Sequence, residues 1–249
     1  RVAMRACVLI NAGFLNADCQ AVRDLAMTTL GRRLSPYPEH PALDTVAGTL
    51  LKAPAKNVVS TLSLTLQSKT EELLRNQLLE LKDQHANAGA VLVLDNATGA
   101  VLAYAANAGL VDSARFVDAI RAPRQAGSTL KPFLYEMAFE QKYLTAASIL
   151  EDTPVSFPTP GGLYVPQNYD KDFKGPVTVR VALASSLNVP AVRVLHLVGV
   201  ENAWTRLRAL GFDLPQTPDF YGHSLALGGA DVSLWALANA YRTLARGGS

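Results

Sequence analysis

The sequence has no excess charge of one sign and no basic tract. Its 23 Lys and Arg residues almost balance its 21 Asp and Glu residues, which leaves a formal net charge of +2. Proteins that bind nucleic acids through the phosphate backbone usually carry a strongly basic face or stripe. The charge composition therefore argues against a nucleic-acid partner.

Long apolar runs are also lacking. A membrane-spanning helix needs about 20 consecutive apolar residues, and the best candidate, 90–106, is interrupted by Asp95 and Asn96. The first residues have a basic flank but no small-residue cleavage pattern after an apolar run, so we predict no signal peptide. We expect this chain itself to be soluble.

Residues that bind metals or form disulfides are few. The two cysteines, Cys7 and Cys19, are compatible with a disulfide in an oxidising compartment and equally with two small core residues. Four histidines are scattered along the chain without the spacing of metal ligands: His40, His85, His196 and His223. We predict no metal site and no cofactor.

The residue pattern of the sequence changes near residue 57. Residues 1–56 carry short helical patterns followed by a stretch with Pro36, Pro38 and Pro41, and prolines close off regular structure. This segment is predicted to be a linker or a small helical subdomain. Because 49% of all residues are hydrophobic, residues 57–249 are long enough to bury a core of their own.

The first part of the predicted domain alternates between strand and helix signals. Residues 58–66 alternate in polarity and are rich in β-branched residues, which predicts a strand or an extended lead-in. Leucines at helical spacing predict a helix over 70–84. Two apolar β-type runs within 89–106 flank turn residues at 95–99, which predicts a hairpin. This order favours an α+β fold with an antiparallel sheet.

The later chain is predicted to be mostly helical. Amphipathic or apolar periodicity marks five segments: 131–141, 177–187, 190–198, 202–210 and 233–245. Three residues of the first segment are predicted to face the core: Phe133, Leu134 and Met137. Asp231 is predicted to cap the helix that carries Trp235.

A long loop with five prolines is predicted over 154–176. Loops of this length within a compact domain are usually functional or poorly ordered. Its segment from Tyr164 to Tyr169 offers flat apolar faces and hydroxyl groups, which suit either a substrate contact or ordinary surface packing.

An S-x-x-K motif, Ser128 to Lys131, is the sharpest chemical signal. Gly127 permits a tight turn, and the helical pattern starts directly afterwards, so Ser128 is predicted in the first turn of a helix with Lys131 on the same face. A lysine can deprotonate a serine hydroxyl if burial keeps the amine neutral. By chance such a motif usually lies on a solvated face.

A second motif, S-x-N at Ser186 and Asn188, is predicted on a short turn before the helix that Pro190 begins. A hydroxyl there can relay a proton between Lys131 and a leaving group, and a carboxamide can hold the lysine and a substrate carbonyl. Taken alone, serine and asparagine at such a place more often cap helices for local reasons.

The two motifs and the sequence around them resemble those of the penicillin-recognising serine transpeptidases. Segments 121–140, 165–192 and 225–248 are similar to the transpeptidase domain of class A penicillin-binding proteins, of the 1C type in particular, and 60–74 is similar to the strand and helix that open this domain. The resemblance implies an α+β fold of the penicillin-binding transpeptidase and β-lactamase type. Residues 1–56 resemble the connection from a preceding glycosyltransferase domain.

The resemblance also implies roles for four residues. Ser128 would be acylated by the penultimate D-Ala of a peptidoglycan stem peptide, and Lys131 would be the base. Ser186 would shuttle the proton, and Asn188 would position the substrate amide. A β-lactam would trap the same serine. The parent protein would be anchored in the bacterial inner membrane and would face the periplasm.

One motif of the resembled family is missing from the sequence. No K-T-G or K-S-G occurs, and Lys69-Thr70 is followed by Glu71. In the family this motif lies on a strand that binds the substrate carboxylate and supplies half of the oxyanion hole. We therefore expect the domain to be incomplete at its C-terminus. Two alternatives stay open: a catalytically inert fragment that binds peptidoglycan or acts as a scaffold, and, with less support, a serine β-lactamase or D,D-carboxypeptidase.

Overall fold

The computed structural model describes residues 20, 59–107, 117–159 and 162–248. All of them except Gln20 belong to one compact unit, Ala55–Ser249. The predicted linker, apart from Gln20, lies outside the described residues, as do Cys7 and Cys19. The predicted boundary near residue 57 and the state of the two cysteines therefore stay predictions.

The described residues combine helices with short antiparallel strand pairs. The helices are α1 (Leu64–Glu80), α2 (Lys131–Glu140), α3 (Val179–Ala184), α4 (Asn188–Val198), α5 (Val200–Ala209), α6 (Pro218–Tyr221) and α7 (Leu234–Ala245). The strands are β1 (Val91–Leu94), β2 (Val101–Ala105), β3 (Arg124–Gln125), β4 (Ile149–Asp152), β5 (Phe157–Thr159), β6 (Gly162–Tyr164), β7 (Gly175–Thr178) and β8 (Asp231–Val232). Three 3-10 helices span Lys82–Gln84, Gly127–Leu130 and Gly222–Leu227.

The predicted hairpin is confirmed as β1 and β2, which pair antiparallel with Val91 opposite Ala105. Its turn is closed by Asp95, whose carboxylate accepts hydrogen bonds from the Thr98 N–H at 2.7 Å and the Thr98 hydroxyl at 2.6 Å. Gly99 then takes a positive φ of 75°, a conformation that costs glycine little.

Helix α1 begins at Leu64, earlier than predicted, so the predicted strand or extended lead-in over 58–66 is wrong for its last three residues. The Ser63 hydroxyl accepts from the Leu66 N–H and caps the helix, which outweighs the β-branched pattern around it. The backbone of Ser63 itself is extended, and its N–H donates to the Leu102 carbonyl at 2.9 Å. Gln67 then fixes α1 to β2 through two hydrogen bonds with the Tyr104 backbone.

The main core surrounds α2 and α4. Phe133, Leu134 and Met137 are buried as predicted, and the Phe133 ring contacts Phe212 edge to face with centroids 5.8 Å apart. Helix α4 is apolar around most of its circumference, which is typical of a helix enclosed by other elements. The core therefore holds rigid the two helices that start at the S-x-x-K and S-x-N motifs.

The predicted proline-rich loop contains more regular structure than its composition indicates. Strands β5 and β6 form an antiparallel pair within it, and β7 at its end pairs with β4. Tyr164 is half-buried and stacks on His223, whereas Tyr169 is fully exposed. The loop is thus a small β-structured segment, with prolines tolerated on short edge strands.

The capping role predicted for Asp231 is wrong. Asp231 belongs to β8 and pairs with Gln125 of β3. Helix α7 is capped by Ser233 instead, whose hydroxyl accepts from the Ala236 N–H at 3.1 Å. A short strand thus takes the place that the sequence assigned to a cap.

The last helix reaches back to the first hairpin. Arg242 Nε of α7 donates to the Asn96 carbonyl at 3.0 Å, and Arg246, the residue directly after α7, donates to the Ala97 carbonyl at 2.6 Å. Two turn carbonyls are therefore satisfied by side chains from the far end of the chain.

None of the helices among the described residues is both long and apolar enough to cross a membrane.

Candidate active site

The turn that carries Ser128 is a 3-10 helix, Gly127–Leu130, directly before α2. Ser128 is exposed, and its carbonyl accepts from the Lys131 N–H. Gly127 has φ 56°, in the left-handed region that favours glycine. The sequence predicted the first turn of an α-helix here, and the structure has this tighter turn instead.

The Ser128 turn is braced by the segment that precedes α7. The Ala126 N–H donates to the Ala230 carbonyl at 3.0 Å, and the Gly127 N–H donates to the Gly228 carbonyl at 3.2 Å. From α7 itself, the Tyr241 hydroxyl donates to the Thr129 carbonyl at 2.9 Å. The backbone around the serine is therefore fixed before any ligand binds.

Lys131 is nearly enclosed, with a side chain 1% exposed. Its Nζ donates to the Ser186 carbonyl at 2.6 Å and to Asn188 Oδ1 at 2.7 Å. The Ser186 hydroxyl lies 3.1 Å from the same nitrogen. The structure thus brings together three of the four predicted site residues, and Ser128 lies one turn before Lys131.

Burial lowers the pKa of Lys131 to about 8, because a charged ammonium loses hydration there. The neutral amine can donate the same two hydrogen bonds as the charged ammonium. Its two protons satisfy the carbonyl of Ser186 and the amide oxygen of Asn188, which only accept. The remaining lone pair can then accept a proton or a hydroxyl hydrogen bond. This arrangement suits a general base near neutral pH.

The S-x-N turn owes its shape to a left-handed residue. Ser186 has φ 52°, which reverses the chain between α3 and α4, and α4 begins at Asn188 rather than at the predicted Pro190. Asn188 Nδ2 donates to the Gln167 carbonyl at 3.0 Å. Since that nitrogen faces an acceptor, Oδ1 must face Lys131.

Sequence reasoning missed two buried polar residues beside this turn, Asp152 and Asn168. Both are at most 4% exposed, and Asn168 accepts from the Asn188 N–H at 2.8 Å. Asn168 lay within the proline-rich segment already singled out. No spacing rule links it to Asp152 on β4, because the pair forms only when β4, the loop and α4 come together.

Two of the scattered histidines do meet in the structure. His196 and His223 stack with ring centroids 5.8 Å apart. Phe157 stacks on His223 and contacts His196 with its ring tilted. Burial and the neighbouring His196 lower the pKa of His223. Among the residues that the structure describes, no group of three or more His, Cys, Asp or Glu side chains is placed to hold a metal ion.

The profile of one protein family matches most of the described chain. The family described as "Penicillin binding protein transpeptidase domain" matches residues 89–249, a range that includes both motifs. The chain belongs to this family. The predicted resemblance to penicillin-binding transpeptidases is therefore confirmed.

Curated relatives of this penicillin-binding transpeptidase domain are larger proteins. Penicillin-binding protein 1C of Escherichia coli is 35% identical over 203 residues, which cover 79% of this chain and 25% of that protein. Penicillin-binding protein 1F of Bacillus subtilis is 34% identical over 239 residues, which cover 89% of this chain and 32% of that protein. The chain thus spans a quarter to a third of their lengths.

Solved structures show the same fold. Penicillin-binding protein 1A from Haemophilus influenzae matches with a TM-score of 0.55 and 32% identity, covering 63% of this chain and 23% of that one. The transpeptidase domain of Burkholderia pseudomallei penicillin-binding protein 3 matches with a TM-score of 0.62 and 22% identity, covering 78% and 60%. The predicted α+β penicillin-binding transpeptidase fold is confirmed.

Proposed function

We propose that this domain is a penicillin-sensitive serine D,D-transpeptidase that acts through an acyl-enzyme on Ser128. The Ser128 hydroxyl attacks the penultimate D-Ala carbonyl of a stem peptide, and its proton passes to Lys131. Ser186 delivers that proton to the departing terminal D-Ala amine. The amine of a second stem peptide then attacks the ester and forms the cross-link, and a proton from this amine returns through Lys131 to the Ser128 oxygen as it departs.

The observation that carries this proposal is the enclosed Lys131 amine, held by Ser186 and Asn188 one turn after an exposed Ser128. A chance S-x-x-K motif would place its lysine on a solvated helix face. Lys131 is instead enclosed and has a lowered pKa, as is typical of lysines at functional sites. The other plain alternative, helix capping, does not describe Asn188, whose side chain contacts Lys131 rather than its own helix terminus.

Partners and location follow from the family as further parts of the proposal. The substrates are D-Ala-D-Ala stem peptides of peptidoglycan, and β-lactam antibiotics are covalent inhibitors that occupy the same serine. The parent protein would carry a glycosyltransferase domain and act at the periplasmic face of the inner membrane.

Incubation with a penicillin tests the proposal through intact-protein mass spectrometry. We expect the mass to rise by that of one drug molecule, and we expect no increase in the Ser128→Ala variant. Ser185→Ala, an exposed serine of the second motif segment, is the matched control and should label normally. A folded wild-type chain that gains no mass would support the inert-fragment alternative.

The lifetime of the adduct separates the β-lactamase from a penicillin-binding transpeptidase or D,D-carboxypeptidase. A serine β-lactamase would hydrolyse the acyl-enzyme rapidly and release the opened drug, whereas a transpeptidase retains it. We expect the adduct to persist after excess penicillin has been removed. Rapid return to the unmodified mass, with catalytic loss of the drug, would favour the β-lactamase reading.

The acylation rate should depend on pH through Lys131. Only the neutral amine can accept the Ser128 proton, and its fraction grows as pH rises through a pKa of about 8. The rate constant for penicillin acylation is therefore expected to increase about tenfold per pH unit below pH 7 and to level off above pH 9. Stopped-flow measurements with a fluorescent penicillin provide the profile, and a flat profile across this range would contradict a titrating lysine base.

A further inference from the structure

A buried carboxylate faces a buried carboxamide behind the S-x-N turn. The Asp152 side chain is 0% exposed and that of Asn168 is 4% exposed. Asn168 Nδ2 lies 2.9 Å from Asp152 Oδ1 and 2.8 Å from Oδ2, and the Lys174 N–H also donates to Oδ2 at 2.9 Å. Polar groups this deeply buried are costly unless each is paired, and here each has a partner.

The carboxylate dictates which way the carboxamide points. An ionised carboxylate only accepts hydrogen bonds, so the Asn168 nitrogen must face Asp152 and its oxygen must face the opposite way. That oxygen accepts from the Asn188 N–H at 2.8 Å and the Val189 N–H at 3.3 Å. These N–H groups belong to the first turn of α4 and have no partner within the helix.

The residue before Asn168 holds the other part of Asn188. The Gln167 carbonyl accepts from Asn188 Nδ2 at 3.0 Å, while Asn188 Oδ1 accepts from Lys131. Both the backbone and the side chain of Asn188 are therefore held by two consecutive residues of the proline-rich segment. The N-cap residue of α4, Leu187, makes no side-chain hydrogen bond to the helix. The start of α4 is therefore held by Gln167 and Asn168 from another segment and not by a local cap.

We propose that Asp152 and Asn168 are positioning residues of the acylation site. Asp152 orients Asn168, and Asn168 holds the start of α4 so that Asn188 keeps its oxygen on Lys131. This inference rests on the proposed function for its catalytic consequence. The alignment matters because displacement of a catalytic group by about 1 Å is enough to cost on the order of 10²-fold in rate.

A reciprocal exchange of the two side chains tests the pairing. Asn168→Asp alone sets two carboxylates face to face, and Asp152→Asn alone sets two carboxamides face to face. The double variant Asp152→Asn/Asn168→Asp restores a carboxamide donor to a carboxylate acceptor, and the carboxylate at position 168 still accepts from both α4 N–H groups. It does not restore the donor of the Asp172 carbonyl, which accepts from Asn168 Nδ2 at 2.9 Å. Each single variant should acylate about 10- to 100-fold more slowly per labelled site, and the double variant should acylate at least about threefold faster than either single variant.

Amide hydrogen exchange supplies a readout that does not depend on activity. In the single variants the mismatched partner should displace the side chain at position 168 and weaken its hydrogen bonds to the Asn188 and Val189 N–H groups. Exchange at these two amides should then speed up by about tenfold or more, with recovery in the double variant. The matched control is Asp170→Asn, which removes a carboxylate from an exposed position of the same loop, where it pairs with Lys174. We expect it to leave both the exchange and the acylation rate unchanged.

The outcomes separate the inference from the proposed function. Unchanged exchange at Asn188 and Val189 in both single variants would overturn the inference, as would lost protection with wild-type acylation. A purely structural role would lower the melting temperature without changing the acylation rate of the folded molecules, and would also overturn it. A wild-type chain that no penicillin labels would count against the proposed function, and the exchange data would then decide the inference alone.

Discussion

Replacing Lys131 with methionine should slow the labelling of Ser128 by a penicillin by about 10²–10⁴-fold, the usual contribution of a general base. Methionine fills a similar volume without an amine, so the serine proton has no acceptor. The Ser186 carbonyl and the Asn188 oxygen, both partly buried, would also lose their donor, at a cost of up to about 1–3 kcal/mol each. Time-resolved labelling with a fluorescent penicillin measures the rate, and thermal unfolding verifies the fold.

Two comparison variants separate the base from the charge. Lys131→Arg keeps a cation that stays protonated at any accessible pH, so we expect it to be as slow as Lys131→Met. Lys69→Met alters an exposed lysine on α1 that pairs with Glu72, and it should label at the wild-type rate. Labelling by Lys131→Arg at the wild-type rate would show that Lys131 supplies charge rather than proton transfer.

Gly228→Ala should combine a large loss of stability with a large loss of acylation. A Cβ on Gly228 would stand 1.9 Å from the Gly127 carbonyl oxygen and 2.3 Å from its nitrogen, so the backbone that precedes Ser128 must move. A positive φ of 72° adds strain of about 1–2 kcal/mol, and the overpacking adds about 1–3 kcal/mol. Urea unfolding and penicillin labelling would measure the two losses.

Gly247→Ala is the matched control, because Gly247 has a φ of 69° but nothing within 4 Å of an added Cβ. It should show the backbone strain alone and should label normally. Equal stability losses in the two variants would mean that the close approach of Gly228 to Gly127 carries no energetic weight.

The sequence was sufficient to predict the elements that depend on local patterns. The β1–β2 hairpin has turn residues at fixed positions, and the core face of α2 follows helical spacing. Ser128, Lys131, Ser186 and Asn188 were predicted because they form short motifs, and the structure places Ser186 and Asn188 within hydrogen-bond distance of Lys131. Their catalytic roles stay predictions until the variants above are measured.

The misplaced features depend on competition or on distant contacts. Ser63 could cap a helix or continue a strand, and the capping choice is decided by packing of Gln67 against β2. Asp231 follows a pattern that fits a cap, but its pairing with Gln125 is a long-range contact. The buried position of Asp152 could not be predicted from the sequence for the same reason. A buried carboxylate is stable only when partners from other segments surround it.

The hydrogen bonds from Arg242 and Arg246 to the turn of the β1–β2 hairpin affect how the domain folds. Arg242 and Asn96 are 146 positions apart, and Arg246 and Ala97 are 149 apart. Contacts of such high sequence separation form late, since the intervening chain must lose its freedom first, and they slow folding. During synthesis the hairpin emerges long before α7, so its turn carbonyls stay hydrated until α7 arrives. These contacts therefore form only after most of the described residues have been synthesised.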